Sequence, residues 1–107
     1  MAIYELRQYK VLPGQMDLWV KYMEEEIIPY QVSKGMVICG SFRHETDPSV
    51  YVWIRRFENE EHREKLYADV YEAVYWKERI APVIPTLLDR SAMVVQRIVP
   101  TGMSILQ

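Results

Sequence analysis

The chain opens on an alternating pattern. In residues 2–11, AIYELRQYKV, β-forming side chains switch sides from one residue to the next, which predicts a strand. Pro13-Gly14 breaks it. The period then changes. Met16, Trp19, Val20, Met23, Ile27 and Tyr30 recur at intervals of three and four, so one face of a helix runs from Gln15 to about Ser33. Pro29 removes an amide donor there and is expected to kink or shorten the last turn. Gly35 suits the position just past the helix end.

Met36–His44 reads as a second strand, Thr46-Asp47-Pro48-Ser49 as a turn and Val50–Phe57 as a third strand, together a hairpin. Asn59 is placed to cap a helix, with Glu60 and Glu61 in its first turn, where the helix dipole favours acids. That helix is expected to end near Ala68. A second helical piece runs from about Tyr71 to Ile80, stopped by Pro82 and Pro85. Ser91–Val99 reads as the fourth strand, followed by a tail from Pro100.

The order is β-α-β-β-α-β. Right-handed crossovers turn it into a four-stranded antiparallel sheet with helices on one face, an α+β fold of the ferredoxin-like kind. The chain reads as a single domain, residues 1–107, with a core at 2–100 and a C-terminal tail at 101–107. The second sheet face is left bare. Two such faces can cover each other, so a homodimer, a dimeric α/β barrel, is expected.

Composition narrows the function classes. Half the residues are hydrophobic and 26% are charged, a globular balance. The net charge of −2 argues against nucleic acid as a partner, since phosphate binding needs a basic face. Cys39 is the only cysteine, which excludes an internal disulfide. No apolar run approaches the ~20 residues of a membrane helix, and no signal peptide opens the chain, so neither membrane insertion nor secretion is expected; a cytoplasmic protein is.

Four segments, in this order and spacing, carry a resemblance: IYELRQYKVLPG, YVWIRRFENEEHRE, VYEAVYWKERIAP with Trp76 and Pro82, and VVQRIVPT. Over about residues 2–100 the chain resembles the NIPSNAP family. The resemblance implies a dimeric α/β-barrel fold and little chemistry, because the family's activity is poorly defined. More distant relatives of that fold include cofactor-independent monooxygenases, haem-degrading enzymes and small-molecule cyclases, and fold alone does not assign function.

Candidate chemistry begins on the first strand. Glu5 and Arg7 share a parity with Tyr9 and lie about 7 Å apart. They are either a structural ion pair or a ligand-facing pair. The resemblance implies a pocket between helices and sheet, and so places them on that side. On the third strand Val50, Val52 and Ile54 form a plain apolar face. Tyr51, Trp53 and Arg55 form the other, suited to a planar or anionic ligand. The alternative is that Trp53 is core and Arg55 pairs with Glu5. Tyr67, Tyr71 and Tyr75 share a helical face if the helix is unbroken, and Tyr71 is a candidate general acid or else part of a core stripe. Tyr22 and Glu26 are one helical turn apart and could bring a carboxylate to the cavity, or simply be solvated.

His44 lies in turn sequence beside Glu45 and Asp47 without metal-ligand spacing, and no histidine is placed as a haem ligand. No metal and no cofactor are expected. Two readings follow. In the first, the protein is a small-molecule enzyme or binder for a small apolar or aromatic ligand, working by proton transfer or cofactor-independent oxidation. Glu5, Arg7 and Tyr71 would be catalytic, with Tyr9, Tyr22, Glu26, Tyr51, Trp53 and Arg55 binding. In the second, it is a non-catalytic dimeric interaction or structural protein. A cavity of about 300 Å³ or more favours the first.

Overall fold

A computed structural model describes residues 1–107. Strand β1 (Ile3–Val11) is central. It pairs antiparallel with β3 (Val50–Phe57) on one side and β4 (Leu88–Ile98) on the other, while β2 (Val37–Arg43) adds to β3, so the sheet order is β2-β3-β1-β4. Both β1 and β3 turn their odd-numbered residues toward the helices. The pairs Glu5–Arg55, Arg7–Trp53 and Tyr9–Tyr51 face one another across the two strands.

The first crossover is longer and less regular than a single helix. Helix α1 (Met16–Tyr22) passes into a π-turn (Met23–Ile27) and continues as α2 (Ile28–Ser33). Pro29 therefore does not shorten the helix. The Ile28 amide reaches back five residues to the Met23 carbonyl, and this wide turn takes up Pro29, which has no amide of its own. Met16, Trp19, Met23 and Ile27 line the buried side of this crossover. Gly35 follows with φ +105°, and Gly14 holds φ +74° in the turn after β1, conformations that favour glycine at both stops.

Helix α3 (Glu60–Tyr71) starts on the expected cap, with the Asn59 Oδ1 accepting the His62 amide at 2.8 Å. It runs three residues beyond Ala68. The second helical piece shrinks to a π-turn (Trp76–Ile80) after a bend at Glu72 and Ala73. β4 begins at Leu88 rather than Ser91, because Leu88 and Asp89 already pair with Val11 and Lys10 before a bulge.

Two apolar clusters pack between sheet and helices. The larger holds Tyr9, Val11, Trp19, Tyr51, Trp53 and Leu88, among others; the smaller holds Met36, Phe57, Leu66 and Val70. The guanidinium of Arg55 bridges them, 4.8 Å from the Trp53 ring and 5.7 Å from Phe57. On the far sheet face the C-terminal tail folds over one end, where Tyr4 and Arg56 both donate to the Gln107 carbonyl. The rest of that face is open. No helix is long and apolar enough to cross a membrane.

Candidate functional site

A single buried carboxylate organises the helix side of the sheet. Glu5 is 1% exposed and sits among three guanidinium groups. Arg55, itself 0% exposed, donates to Glu5 Oε1 at 2.7 Å, and Arg63 donates to Oε2 at 2.9 Å. The Tyr67 hydroxyl donates to both oxygens, at 2.7 and 2.6 Å. Arg7 approaches Oε1 to 3.5 Å as an ion pair without an aligned hydrogen bond. Burial alone would raise the Glu5 pKa. The Arg55 charge and the bonds from Tyr67 and Arg63 outweigh it and hold the carboxyl down at about 2. It is therefore a fixed anion.

Each arginine reaches outward from that anion. Arg55 Nη1 donates to Gln31 Oε1 at 2.8 Å and to the Tyr71 hydroxyl at 2.6 Å. Arg7 donates to the hydroxyls of Tyr9 at 3.2 Å and Tyr67 at 2.9 Å. Arg63 also pairs with Glu60, which accepts from Arg97 as well. Tyr67 and Tyr71 pack edge to face with ring centroids 5.1 Å apart. One turn of α3 separates them, and both hydroxyls project into the cluster.

Beside the cluster lies a cavity of about 240 Å³. Its polar wall is made by Arg7, Gln31, Tyr71 and, at the exposed rim, Arg90; its aromatic wall by Tyr9, Trp19, Trp53 and Trp76. Met23, Ile27, Ile84, Leu88 and Met93 close it. The volume falls short of the ~300 Å³ expected above of a ligand site, so size alone does not favour that reading, and the space admits only a small molecule. Trp19 and Trp53 are 1% and 2% exposed, yet neither indole N–H meets an acceptor, and the Arg7 Nε is likewise unsatisfied. Buried donors are normally paired, so the two indole N–H groups on residues of one cavity wall mark it as a place for an acceptor, while the Arg7 Nε faces Glu5 Oε1 at 3.5 Å.

The candidate residues divide three ways. Arg7, Tyr9, Trp53 and Tyr71 line the cavity. Glu5 and Arg55 stand behind that wall and hold it. Trp53 is indeed buried and Arg55 does pair with Glu5. Tyr51, Tyr22 and Glu26 lie elsewhere. Tyr51 packs on Tyr9 and Trp19 and shares a hydrogen bond with Ser41; burial pushes its hydroxyl up to about 12. Tyr22 and Glu26 border an outer groove, Tyr22 donating to the Arg79 carbonyl at 3.5 Å and Glu26 accepting from Tyr75 at 3.2 Å. The bend after α3 takes Tyr75 off the Tyr67–Tyr71 face. Tyr67, Arg63 and Gln31 were not singled out by the sequence as site residues. The four-residue spacing of Tyr67 and Tyr71 was the available signal for the first; nothing in the local pattern marks Gln31.

His44 serves its turn, its Nδ1 accepting the amides of Thr46 and Asp47. No three His, Cys, Asp or Glu side chains gather in a metal-binding arrangement.

The NIPSNAP family model matches residues 4–103. Among solved structures, a NIPSNAP family protein from Agrobacterium tumefaciens is 23% identical with TM-score 0.87, each chain covered completely. A second NIPSNAP family protein from that organism, described as of unknown function, is 25% identical over 99% of this chain and 94% of its own, with TM-score 0.87. An uncharacterised NIPSNAP-like domain protein from Burkholderia xenovorans is 25% identical over 96% and 88%, with TM-score 0.85. No curated protein matches.

Proposed function

We propose that this chain, which belongs to the NIPSNAP family, is a small-molecule enzyme or binder whose ligand occupies the cavity between helices and sheet. One observation carries the reading: the wall of an apolar cavity holds buried hydrogen-bond donors that no protein acceptor satisfies. Left unpaired, each costs about 1–3 kcal/mol, and an occupant whose acceptor atoms reach the indole N–H groups would recover that cost.

The wall sets the chemistry within reach. Tyr71 accepts from Arg55 and, at 3.4 Å, from Gln31, so its own hydroxyl hydrogen is free for a ligand oxygen. With Arg7 beside it, it would stabilise negative charge developing on that oxygen. Such a site fits proton transfer to a carbonyl compound; cofactor-independent oxidation would need a substrate that enters as its own anion, with dioxygen as the oxidant. Glu5 acts in this reading as the carboxylate that positions the arginines.

The apolar outer face favours a further element of the reading, a homodimer. Val37, Phe42, Val94 and Ile98 are exposed there beside half-buried Leu6, Val52 and Ile54, a patch whose cover by a second copy removes it from water. A dimer with a filled or water-only cavity is the non-catalytic alternative.

Thermal unfolding against a set of one-ring acids, amides, amines and alcohols tests the ligand site. At least one class is expected to raise Tm, since a ligand at a hundred times its Kd adds about 2.7 kcal/mol. Ile84→Phe, which fills the cavity from its edge, is expected to abolish that rise. No rise with any class, or a rise unchanged in Ile84→Phe, refutes the cavity as the site.

A further inference from the structure

The hydrogen-bond valences around the cavity are one-sided. Trp19 and Trp53 carry indole N–H groups with no acceptor, and Arg7 presents its Nη1 beside Tyr9 and Met93. Tyr9 accepts from Arg7 and donates to nothing; Tyr71 accepts from Arg55 and donates to nothing. The one side-chain carbonyl in the wall, Gln31 Oε1, is already taken by Arg55 at 2.8 Å. Glu5, whose oxygens accept from Arg55, Arg63 and Tyr67, lies outside the wall. The wall therefore has donors to spare, and its one side-chain carbonyl already accepts from an arginine.

Charge points the same way. Arg7, Arg55 and Arg63 surround one carboxylate, and Glu60, the second, is shared between Arg63 and Arg97. Arg90 adds an exposed cation at the rim. An occupant bearing an amine would meet positive charge and few acceptors. A neutral apolar occupant would leave the donors unpaired. Around the donors stand the faces and edges of Tyr9, Trp19, Trp53 and Trp76, which suit a flat body.

Resting on the cavity as the ligand site, we propose that it selects a small planar carboxylate: one ring, or an unsaturated chain of similar size, with its carboxylate at Arg7 and the hydroxyls of Tyr9 and Tyr71. The site is also an acid without a base. No side chain in the wall can take a proton from the ligand's carbon skeleton, so the wall's part in any reaction is limited to hydrogen-bond or proton donation by Tyr9 and Tyr71.

Benzoate, benzamide and benzylamine share a ring and differ in charge and in donors, and titration calorimetry on the full chain separates them. Benzoate is expected to bind saturably at one site per chain, at least about tenfold tighter than benzamide, with benzylamine not binding. Arg7→Leu is expected to weaken benzoate by about tenfold or more, the loss of one charge-assisted bond. Arg7 also braces Tyr67, so Arg90→Gln serves as the second variant. Arg90 is exposed and enters no ion pair, so its loss leaves the fold intact and should weaken benzoate by a few-fold, an effect that salt removes. Equal binding of benzoate and benzamide, or tighter binding of benzylamine, overturns the carboxylate and leaves the cavity as a ligand site. Benzoate binding unaffected in both variants places it elsewhere and also overturns the proposal. If none of the three binds, a planar carboxylate is refuted; a Tm rise from another class, lost in Ile84→Phe, would still keep the cavity.

Discussion

The two faces of the sheet invert the usual arrangement of a small domain. Toward the helices, β1 and β3 present Glu5, Arg7 and Arg55 among aromatics. Away from the helices the same strands present Leu6, Val50, Val52 and Ile54. Charges are enclosed and aliphatic side chains are left half bare. The difference is one of demands on partners. A buried ion must be matched atom by atom, and the inner face does this with directed bonds from Arg55, Arg63 and Tyr67. Aliphatic surface needs only to be removed from water and can wait for a second chain. The inner face should therefore be intolerant of single changes and sensitive to acid, while the outer face should be tolerant within one chain and sensitive only in association.

The largest effect is expected from Arg55→Ala. It removes the shortest arginine bond to Glu5, the links to Gln31 and Tyr71, and the contact over Trp53, leaving a buried carboxylate short of its main partner. About 3–5 kcal/mol of stability should be lost in urea unfolding. Arg7→Ala should cost clearly less, because Arg7 is partly exposed and meets Glu5 at 3.5 Å without an aligned bond. Equal losses from the two variants would mean that net charge, and not directed bonding, holds the inner face.

Acid gives the next effect. The folded-state pKa of Glu5 is depressed from 4.5 to about 2. Its contribution is thus complete above pH 4.5 and is lost as pH falls from there through about 2. The full shift corresponds to something on the order of 3 kcal/mol. Asp47, Glu58 and Asp89 also have lowered pKa values, from hydrogen bonds to Ser49, Arg56 and Ser91, but they are exposed and screened. Unfolding followed from pH 5 to pH 2 at low and high salt separates them: the Glu5 part should survive salt. A loss that salt abolishes would place the acid sensitivity on the surface.

Both faces were legible in the alternation of β1 and β3, because a strand reverses its side chains at every residue whatever the tertiary context. The sheet, the hairpin and the Asn59 cap followed from local chemistry in the same way. What escaped depended on distant residues. Pro29 marked a disturbance, but a π-turn five residues long that leaves the helix running needs the packing of Met23 and Ile27 to choose it. Glu5 and Arg55 could be offered as partners, yet only the β1–β3 register sets them opposite each other. Gln31 looks like any polar residue near a helix end; its role comes from the Arg55 side chain lying across from it, 2.8 Å away. Tyr22 and Glu26 shared a helical turn, but the orientation of α1 over the sheet put them on the outer groove.

The smallest effect on a single chain is expected from Val52→Lys. Val52 lies between Gln8 and Phe42 on the outer face, half buried and away from the tail that covers Tyr4 and Ile54. A lysine there extends into solvent without touching the inner network, so far-UV circular dichroism should be unchanged. The consequence should appear only in association. If a second copy covers this face, the wild-type chain has a dimer mass in light scattering at micromolar concentration. The variant sets two lysines near each other inside an apolar interface, an unpaired buried charge on each side, and should fall to the monomer mass. A wild-type monomer at that concentration would show that the open face is tolerated in water. A dimeric Val52→Lys would show that the copies meet elsewhere, and the two faces would then differ in composition without differing in use.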